Sequence, residues 1–370
     1  MNRIKLTLVS LLLLLSVCVG NSDAVMKIVG LTGECNLAFS GCTVIPLTPT
    51  TLCTVSCAQQ TSFSFTDANR FWGASTTGVG SCLTSTNGGI AWGACASQPF
   101  TTGNREFYAG TPDGGVIAVG TTTGPTTCTI KKSTNNGTTW STVFTALVQC
   151  TSGTLEGQRL YCLSDGNCEF IGWDASTVTI YRSSNSGDSW VAGETTTGGN
   201  CAISSVAWNG TAGIIPSQNT GCGGGFIAKA GVAASDVWTT SAVWNGTQGD
   251  CWGSVVFAGV GRAICQVTSA DYVMYSSAGA VVNTLVLPNV LKTIDTGGTS
   301  ISPFSGVMYM VATKSTGGIG IWVSRDSLAS FTQIGSFSGG GAGPRGGNTF
   351  FANGCIYFTT GVTAMFGKVC

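Results

Sequence analysis

The sequence predicts an all-β repeat protein, and three observations predict it. An eight-residue motif, Ser-x-Asn-x-Gly-x-x-Trp, occurs three times without gaps: STNGGIAW at 85–92, STNNGTTW at 133–140 and SSNSGDSW at 183–190. Ser85, Ser133 and Ser183 stand 48 and 50 residues apart, a fixed period in the range of repeat architectures. Strand-like runs flank each copy, and beyond the N-terminal segment no stretch of about 12 residues keeps a 3.6-residue apolar period.

Each part of the unit has a physical reason. GSCLTS, TCTIKKS and TVTIYRS precede the motifs, and AWGACA, WSTVFTALV and WVAGETT follow them. Branched and polar residues alternating on both sides of a Gly-Asn-Ser turn make a β-hairpin. The carboxamide of Asn87, Asn135 or Asn185 folds back on its own backbone to close the turn. Gly89, Gly137 and Gly187 supply the positive-φ position, and Trp92, Trp140 and Trp190 tuck against the sheet as hydrophobic plugs. A fourth copy, SRDSLASF at 324–331, keeps Ser324 and Asp326, replaces the Gly with Leu328 and ends in Phe331. Ser324 follows Ser183 by 141 residues, or three further steps of 47.

The motif resembles the Asp-box, or BNR repeat, of sialidases and other secreted β-propellers. In that family the box joins the third and fourth strands of a four-stranded blade, opposite the usual active site. The resemblance therefore implies a structural role for the box residues and an all-β propeller of four-stranded antiparallel blades. The departure is Asn in three boxes, with Asp326 alone acidic. Asn keeps the turn hydrogen bonds. Degenerate copies are expected near Val237 to Trp244, where only the closing Trp remains, and at Ser276 to Gly279, after a strand ending at Tyr275. A mature chain of about 346 residues at about 48 per unit gives seven blades, with six as the alternative. The segment from VMKIVGL onward is expected to add an outer strand to CIYFTTG and VTAMFGKVC, closing the ring and removing open sheet edges.

Residues 1–24 read as a secretory signal peptide. Arg3 and Lys5 precede the apolar run Leu6 to Val19, and small residues follow at Cys18 and Gly20 or at Ser22 and Ala24. A membrane anchor would need about 20 apolar residues, and this run has about 14. A lipoprotein site at Cys18 is a further alternative. Residues 25–370 are then one exported propeller domain with no membrane span.

Composition narrows the function. The chain carries 54 Gly, 17 Cys and no His, with 16 Lys+Arg against 16 Asp+Glu and only 9% charged residues. Without His there is no Ser-His-Asp triad, no Cys-His dyad and no imidazole metal ligand. So few balanced charges exclude the basic stripe that nucleic-acid binding requires. Loss of Cys18 with the signal leaves 16 cysteines, an even number that fits eight disulfides in an oxidising compartment. Blade geometry pairs Cys82 with Cys95, Cys162 with Cys168, Cys251 with Cys265 and Cys355 with Cys370. Nearest-neighbour pairing then joins Cys128 to Cys150 and Cys201 to Cys222, leaving Cys35, Cys42, Cys53 and Cys57 in an open order.

The sialidase resemblance implies an arginine triad, a Tyr-Glu nucleophile pair and an acidic Asp, but the family's Arg-Ile-Pro start is absent. No local motif singles out three of Arg70, Arg105, Arg159, Arg182, Arg262, Arg325 and Arg345. Asp113 and Asp165 read as turn residues, and Glu106 beside Arg105 and Glu156 before Arg159 as surface pairs. No catalytic residue, cofactor site or metal site is assigned. Trp72, Trp173, Trp208, Trp238, Trp252 and Trp322 read as core, though one or two on the open face would stack on sugar rings. Asn136, Asn209 and Asn245 begin Asn-Gly-Thr sequons and read as tight turns, with glycosylation left open. The expected role is non-catalytic recognition or scaffolding of a glycan or protein at a cell surface, envelope or virion. The alternative is a glycoside hydrolase or lyase with carboxylates in the central funnel. Non-reducing peptide mapping of the secreted chain should return short-range bridges throughout; bridges mainly between distant repeats, or several free thiols, would defeat both the pairing and the export argument.

Overall fold

The computed structural model describes residues 50–51, 63–67, 69–74, 82–89, 91–100, 106–121, 128–146, 159–173, 177–197, 207–208, 212–216, 225–230, 239–243, 251–257, 260–266, 271–276, 280–286, 300–304, 307–313, 319–324, 326, 329–337, 349–352, 355–359 and 365–369. Among them every regular element is a strand, and the strands form seven four-stranded antiparallel sheets.

Six sheets are meanders in chain order. The first runs Phe63–Phe65, Phe71–Ala74, Cys82–Ser85, Gly93–Ala94. The second runs Phe107–Gly110, Val116–Thr121, Cys128–Ser133, Ser141–Ala146. The third runs Leu160–Cys162, Cys168–Trp173, Thr177–Ser183, Val191–Thr197. The fourth, fifth and sixth begin at Ala207–Trp208, Cys251–Phe257 and Ser300–Phe304. They end at Thr239–Val243, Val281–Val286 and Thr332–Phe337. The seventh orders Thr349–Ala352, Cys355–Thr359 and Met365–Val369, and its fourth strand, Thr50–Thr51, comes from the other end of the chain. Thr50 lies opposite Phe366 and Thr51 opposite Met365. First strands touch first strands from sheet one to three and from sheet four to seven, so successive sheets stand side by side.

The period of two in a strand builds the core between sheets. In the second sheet Tyr108, Val116 and Ala118 join Trp72, Cys82, Cys95 and Phe100 of the first sheet and its exit segment. Phe107, Ala109, Ile117, Val119, Cys128 and Ile130 join Leu160, Phe170, Tyr181 and Trp190 of the third. One sheet thus feeds two seams from its two faces. Its inner strands are buried on both, which is why VIAV at 116–119 is continuously apolar. Among the strand residues whose burial is described, exposure appears only in the fourth strands, where Val191, Ala192 and Gly193 are all solvent-facing.

Two disulfides fasten hairpins. Cys82 bonds Cys95, and Cys162 bonds Cys168, which also face each other in register. Cys128 and Cys265 are disulfide-bonded as well, and Cys265 lies opposite Cys251. Cys355 opens the second strand of the last sheet. Cys35, Cys42, Cys53, Cys57, Cys150, Cys201, Cys222 and Cys370, like the signal segment, lie outside the described residues. One expectation is corrected: Thr239–Val243 is the fourth strand of its sheet, so the stretch Val237 to Trp244 cannot be a turn.

Gly187 shows how tightly neighbouring sheets approach. Its φ is +85°, and a Cβ there would collide with the Ile117 side chain of the preceding sheet, which is fully buried. Gly187→Ala should therefore destabilise by about 2–4 kcal/mol, combining overpacking with a left-handed alanine. Gly93→Ala, with nothing within 4 Å of the new carbon, should leave the denaturant midpoint within about 0.5 kcal/mol of wild type. Equal effects at the two sites would show that the seam is not close-packed.

Candidate functional site

The repeated motifs form one geometry. The hydroxyls of Ser85, Ser133, Ser183 and Ser324 donate to Oδ1 of Asn87, Asn135, Asn185 and Asp326 at 2.9, 3.0, 2.9 and 2.8 Å. That Oδ1 accepts the backbone N–H four residues on, from Ala91, Thr139, Ser189 and Ser330, at 2.9–3.0 Å. The same serine oxygen accepts N–H from Gly89, Gly137 and Gly187 at 2.9 Å. These serines are 1–4% exposed. The hydroxyl is therefore the hub of the turn, a role the sequence pattern alone did not assign to it.

A second feature was missed. Not one but two consecutive residues are left-handed: Gly88 and Gly89 (φ 69° and 83°), Asn136 and Gly137 (58° and 73°), Ser186 and Gly187 (56° and 85°). The nested N–H groups that result are what the serine oxygen collects. Asn136 holds its position as an exposed turn residue; Asn209 and Asn245 lie outside the described residues.

The closing aromatics do not all plug their own hairpins. Trp190 is 5% exposed and donates Nε1–H to Gly187 O at 3.1 Å. Trp92 makes the matching bond to Gly89 O at 3.0 Å but stays partly exposed beside Phe71. Trp140, also partly exposed, reaches out of its box. It donates to Ser97 O at 3.0 Å and meets Trp72 and Tyr108 edge-on at 6.2 and 6.3 Å. Trp72 and Ser97 belong to the preceding sheet and its exit, so this tryptophan seals a seam. Phe331 closes the fourth copy half-buried, and Trp322 in the strand before it is fully buried.

Beside each of the first three boxes lies a second acidic turn, between the first and second strands. Asp67 Oδ1 accepts N–H from Asn69 and Arg70, Asp113 Oδ1 accepts from Gly115, and Asp165 Oδ1 accepts from Asn167. These aspartates precede the box serines by 18–20 residues, a spacing that could have revealed them. Box and turn bond directly: Gly88 N–H to Asn69 O and Ser186 N–H to Gly166 O, both 2.8 Å. Between sheets, buried Lys132 reaches Asp113 at 2.7 Å and Asp188, in the next sheet's box, at 2.8 Å. Burial raises the Asp113 carboxyl, but hydrogen bonds from Lys132, Thr111 and Gly115 outweigh it and hold the group below its usual value.

Both expected surface pairs are corrected. Glu106 is 2% exposed and accepts a hydrogen bond from the Tyr108 hydroxyl, because it opens the innermost strand of its sheet. Arg159 is 1% exposed, with its guanidinium 5.7 Å from the Phe107 ring centre. Glu156 and Arg105 lie outside the described residues. Glu106 and Tyr108 are a Tyr-Glu pair of the kind a sialidase-like nucleophile requires, yet Tyr108 is 0% exposed beneath Trp140. Burial first, then the Glu106 carboxylate, push its hydroxyl well above the usual range, so it remains a proton donor. Arg182, beside its box, pairs with buried Glu169 at 3.0 Å. Among the described residues no three His, Cys, Asp or Glu side chains gather as metal ligands.

No protein-family model matches the chain, and no curated protein does. Solved structures do. YCF48 bound to a D1 peptide is 13% identical with a TM-score of 0.55, covering 90% of this chain and 99% of that one. YCF48 from Cyanidioschyzon merolae is 16% identical with a TM-score of 0.56, covering 87% and 98%. A GH74 xyloglucanase from Xanthomonas campestris is 13% identical with a TM-score of 0.55, covering 85% of this chain and 52%, about half, of the enzyme. At these identities the likeness establishes the fold, a β-propeller, and no more.

The one acidic box should behave differently from the three amide boxes. Bonds from the Ser330 hydroxyl, the Ser330 N–H and the Ser324 hydroxyl lower the Asp326 carboxyl to about 2. Its contribution is present above the ordinary carboxylate pKa of about 3.9 and is lost as pH falls through about 2. A carbon-detected NMR titration should place the Asp326 midpoint near 2, and Ser330→Ala should move it upward. Asn135→Asp should be nearly silent near pH 7. Asn135 Nδ2 donates to the Thr139 hydroxyl, which can turn and donate instead, as Ser330 does to Asp326. Ser133→Ala, which strands the Gly137 N–H and takes one of two donors from Asn135 Oδ1, should cost about 1–3 kcal/mol. A silent Ser133 variant would remove the hub from the account.

Proposed function

We propose that this chain is an exported, seven-bladed propeller of the Asp-box type that works as a non-catalytic recognition or scaffolding platform. Residues 1–24 act as its signal peptide. Residues 25–370 are a single domain whose last blade takes its outer strand from the N-terminal side. Seven four-stranded sheets and the pairing of Thr50–Thr51 with Met365–Val369 support that count. The disulfide-bonded cysteines support an oxidising location.

The observation that carries the non-catalytic reading is the engagement of the acids. Seven acids among the described residues have structural partners. Asp67, Asp113, Asp165 and Asp326 cap turns, Glu106 takes the Tyr108 hydroxyl, Glu169 takes Arg182, and Asp188 takes Lys132. A hydrolase needs two carboxylates free to flank a bond. The YCF48 neighbour, captured with a peptide, supports a peptide or protein as ligand; a glycan is the other candidate class. The rival reading, glycoside hydrolysis, draws on the xyloglucanase neighbour alone, and that likeness is one of fold.

A peptide library and a glycan array, run beside a panel of fluorogenic glycosides, separate the readings. We expect saturable binding to one array and no turnover on the panel. Turnover abolished by a single acid-to-Ala substitution would overturn the non-catalytic reading.

A further inference from the structure

We propose that the Asn136-Gly137 pair of the second box is a latent covalent modification site: the closed box keeps Asn136 an amide, and opening the box converts it to aspartate or isoaspartate. The inference is independent of what the propeller binds.

The reaction needs only the dipeptide and water. The Gly137 nitrogen loses its proton and attacks Cγ of Asn136. A C–N bond forms, the bond from Cγ to Nδ2 breaks, and the amide leaves as ammonia, taking up a proton. Water then opens the five-membered imide at either carbonyl. One opening gives aspartate; the other routes the chain through Cγ and gives isoaspartate. Glycine carries no side chain to hinder the attack, which makes Asn-Gly a susceptible pair.

Two features of the closed box block ring formation. Asn136 is left-handed, with a φ of 58°. A left-handed residue has ψ near about +47°, which turns the following nitrogen away from Cβ, whereas the ring needs it alongside Cβ. The Gly137 N–H is also buried and donates to Ser133 Oγ at 2.9 Å, so its proton is closed off from water.

The same guard recurs along the chain. Four Asn-Gly or Asp-Gly pairs lie among the described residues, and in each the glycine N–H is held. Gly88 donates to Asn69 O at 2.8 Å, Gly114 to Thr111 O at 3.0 Å, Gly137 to Ser133 Oγ at 2.9 Å and Gly166 to Leu163 O at 3.1 Å. The side chain singles out Asn136. Asn87 Oδ1 accepts from the Ser85 hydroxyl and the Ala91 N–H. Asp113 and Asp165 are carboxylates held ionised by their turns, and a carboxylate is a poor electrophile. The Asn136 carboxamide is exposed and meets no donor or acceptor among the described residues, so its backbone alone restrains it. Gly88 and Ser186 fill the same left-handed place in the first and third boxes and carry no amide.

The product is a permanent record of opening. Isoaspartate adds a backbone carbon between positions 136 and 137, so the turn can no longer aim the Gly137 N–H at Ser133 or seat Gly137 against Trp72.

Peptide mapping by mass spectrometry tests this on the full chain, aged at neutral pH both folded and unfolded in urea. We expect amide loss at Asn136 to run at least about a hundredfold slower in the folded chain, because the open box is a minor population. Hydrogen exchange at the Gly137 amide reports the same opening, so the two rates should rise together as urea is added below the unfolding transition. Ser133→Ala should speed amide loss at Asn136 about tenfold or more, while the rate at Asn87 in the same digest stays unchanged. Asn136→Gly, which copies the first box, should fold normally and yield no product at that position. Amide loss equally fast in folded and unfolded chains overturns the proposal, as does a folded-state rate that ignores urea. So does an isoaspartate-bearing chain that refolds with full protection at Gly137. The urea series uses the wild-type chain, so it decides the matter even where Ser133→Ala fails to fold.

Discussion

One buried oxygen organises each repeat. The box serine hydroxyl donates to the Asn or Asp side chain and accepts the glycine N–H two residues beyond it, inside a turn from which water is excluded. Removing it would leave the buried glycine N–H without that partner, which costs more than the bond itself contributes. Because that oxygen must collect an N–H from a sharply bent backbone, two successive residues are forced left-handed. The bend presses the glycine Cα toward the sheet in front: Gly137 lies against Trp72, and Gly187 against Ile117. A local hydrogen bond thereby sets the distance between blades.

The seams follow from that spacing. The second sheet sends alternate residues to two cores, so a disturbance in one of its strands reaches both neighbours. Aromatics fill the gap where boxes meet the preceding sheet, as with Trp140 on Trp72 and Tyr108. A fully buried aromatic of this size removes 150–250 Å² from water, worth about 4–6 kcal/mol before entropy is counted. With charged residues so scarce, ion pairs do little of this work. Lys132 is the exception, and it acts by tying the turn of one sheet to the box of the next.

What the sequence made legible was local. The motif spans eight residues, its hydrogen bonds run over two to four positions, and its strands read directly from their composition. Hairpin cysteines were legible for the same reason, since Cys162 and Cys168 lie six residues apart across one turn. Contacts between repeats were not. Lys132 and Asp188 are 56 residues apart, and Trp140 and Ser97 are 43 apart. No periodicity in one chain announces which residue of a neighbouring unit a side chain will meet. Glu106 shows the cost of reasoning from neighbours: Arg105 beside it suggested a surface pair, but the start of an innermost strand is buried whatever precedes it.

The distribution of acids ties structure to function. Carboxylates in this fold accept N–H groups at turn after turn, a task that Asn performs equally well at three of the four boxes. An acid kept for a turn can be exchanged for an amide at little cost, whereas one kept for catalysis cannot, because only the carboxylate can carry a proton or attack a carbon. Three boxes hold Asn at that place, and the turns beside them hold their aspartates through the same kind of backbone bond. Even the one Tyr-Glu pair in view is sealed beneath an aromatic, where it satisfies its own polar groups and orders a seam. Buried polar pairs of this kind specify which sheet packs on which. The same chemistry that makes the repeat rigid thus occupies these seven acids with turns and seams, which is the physical ground for the proposed platform.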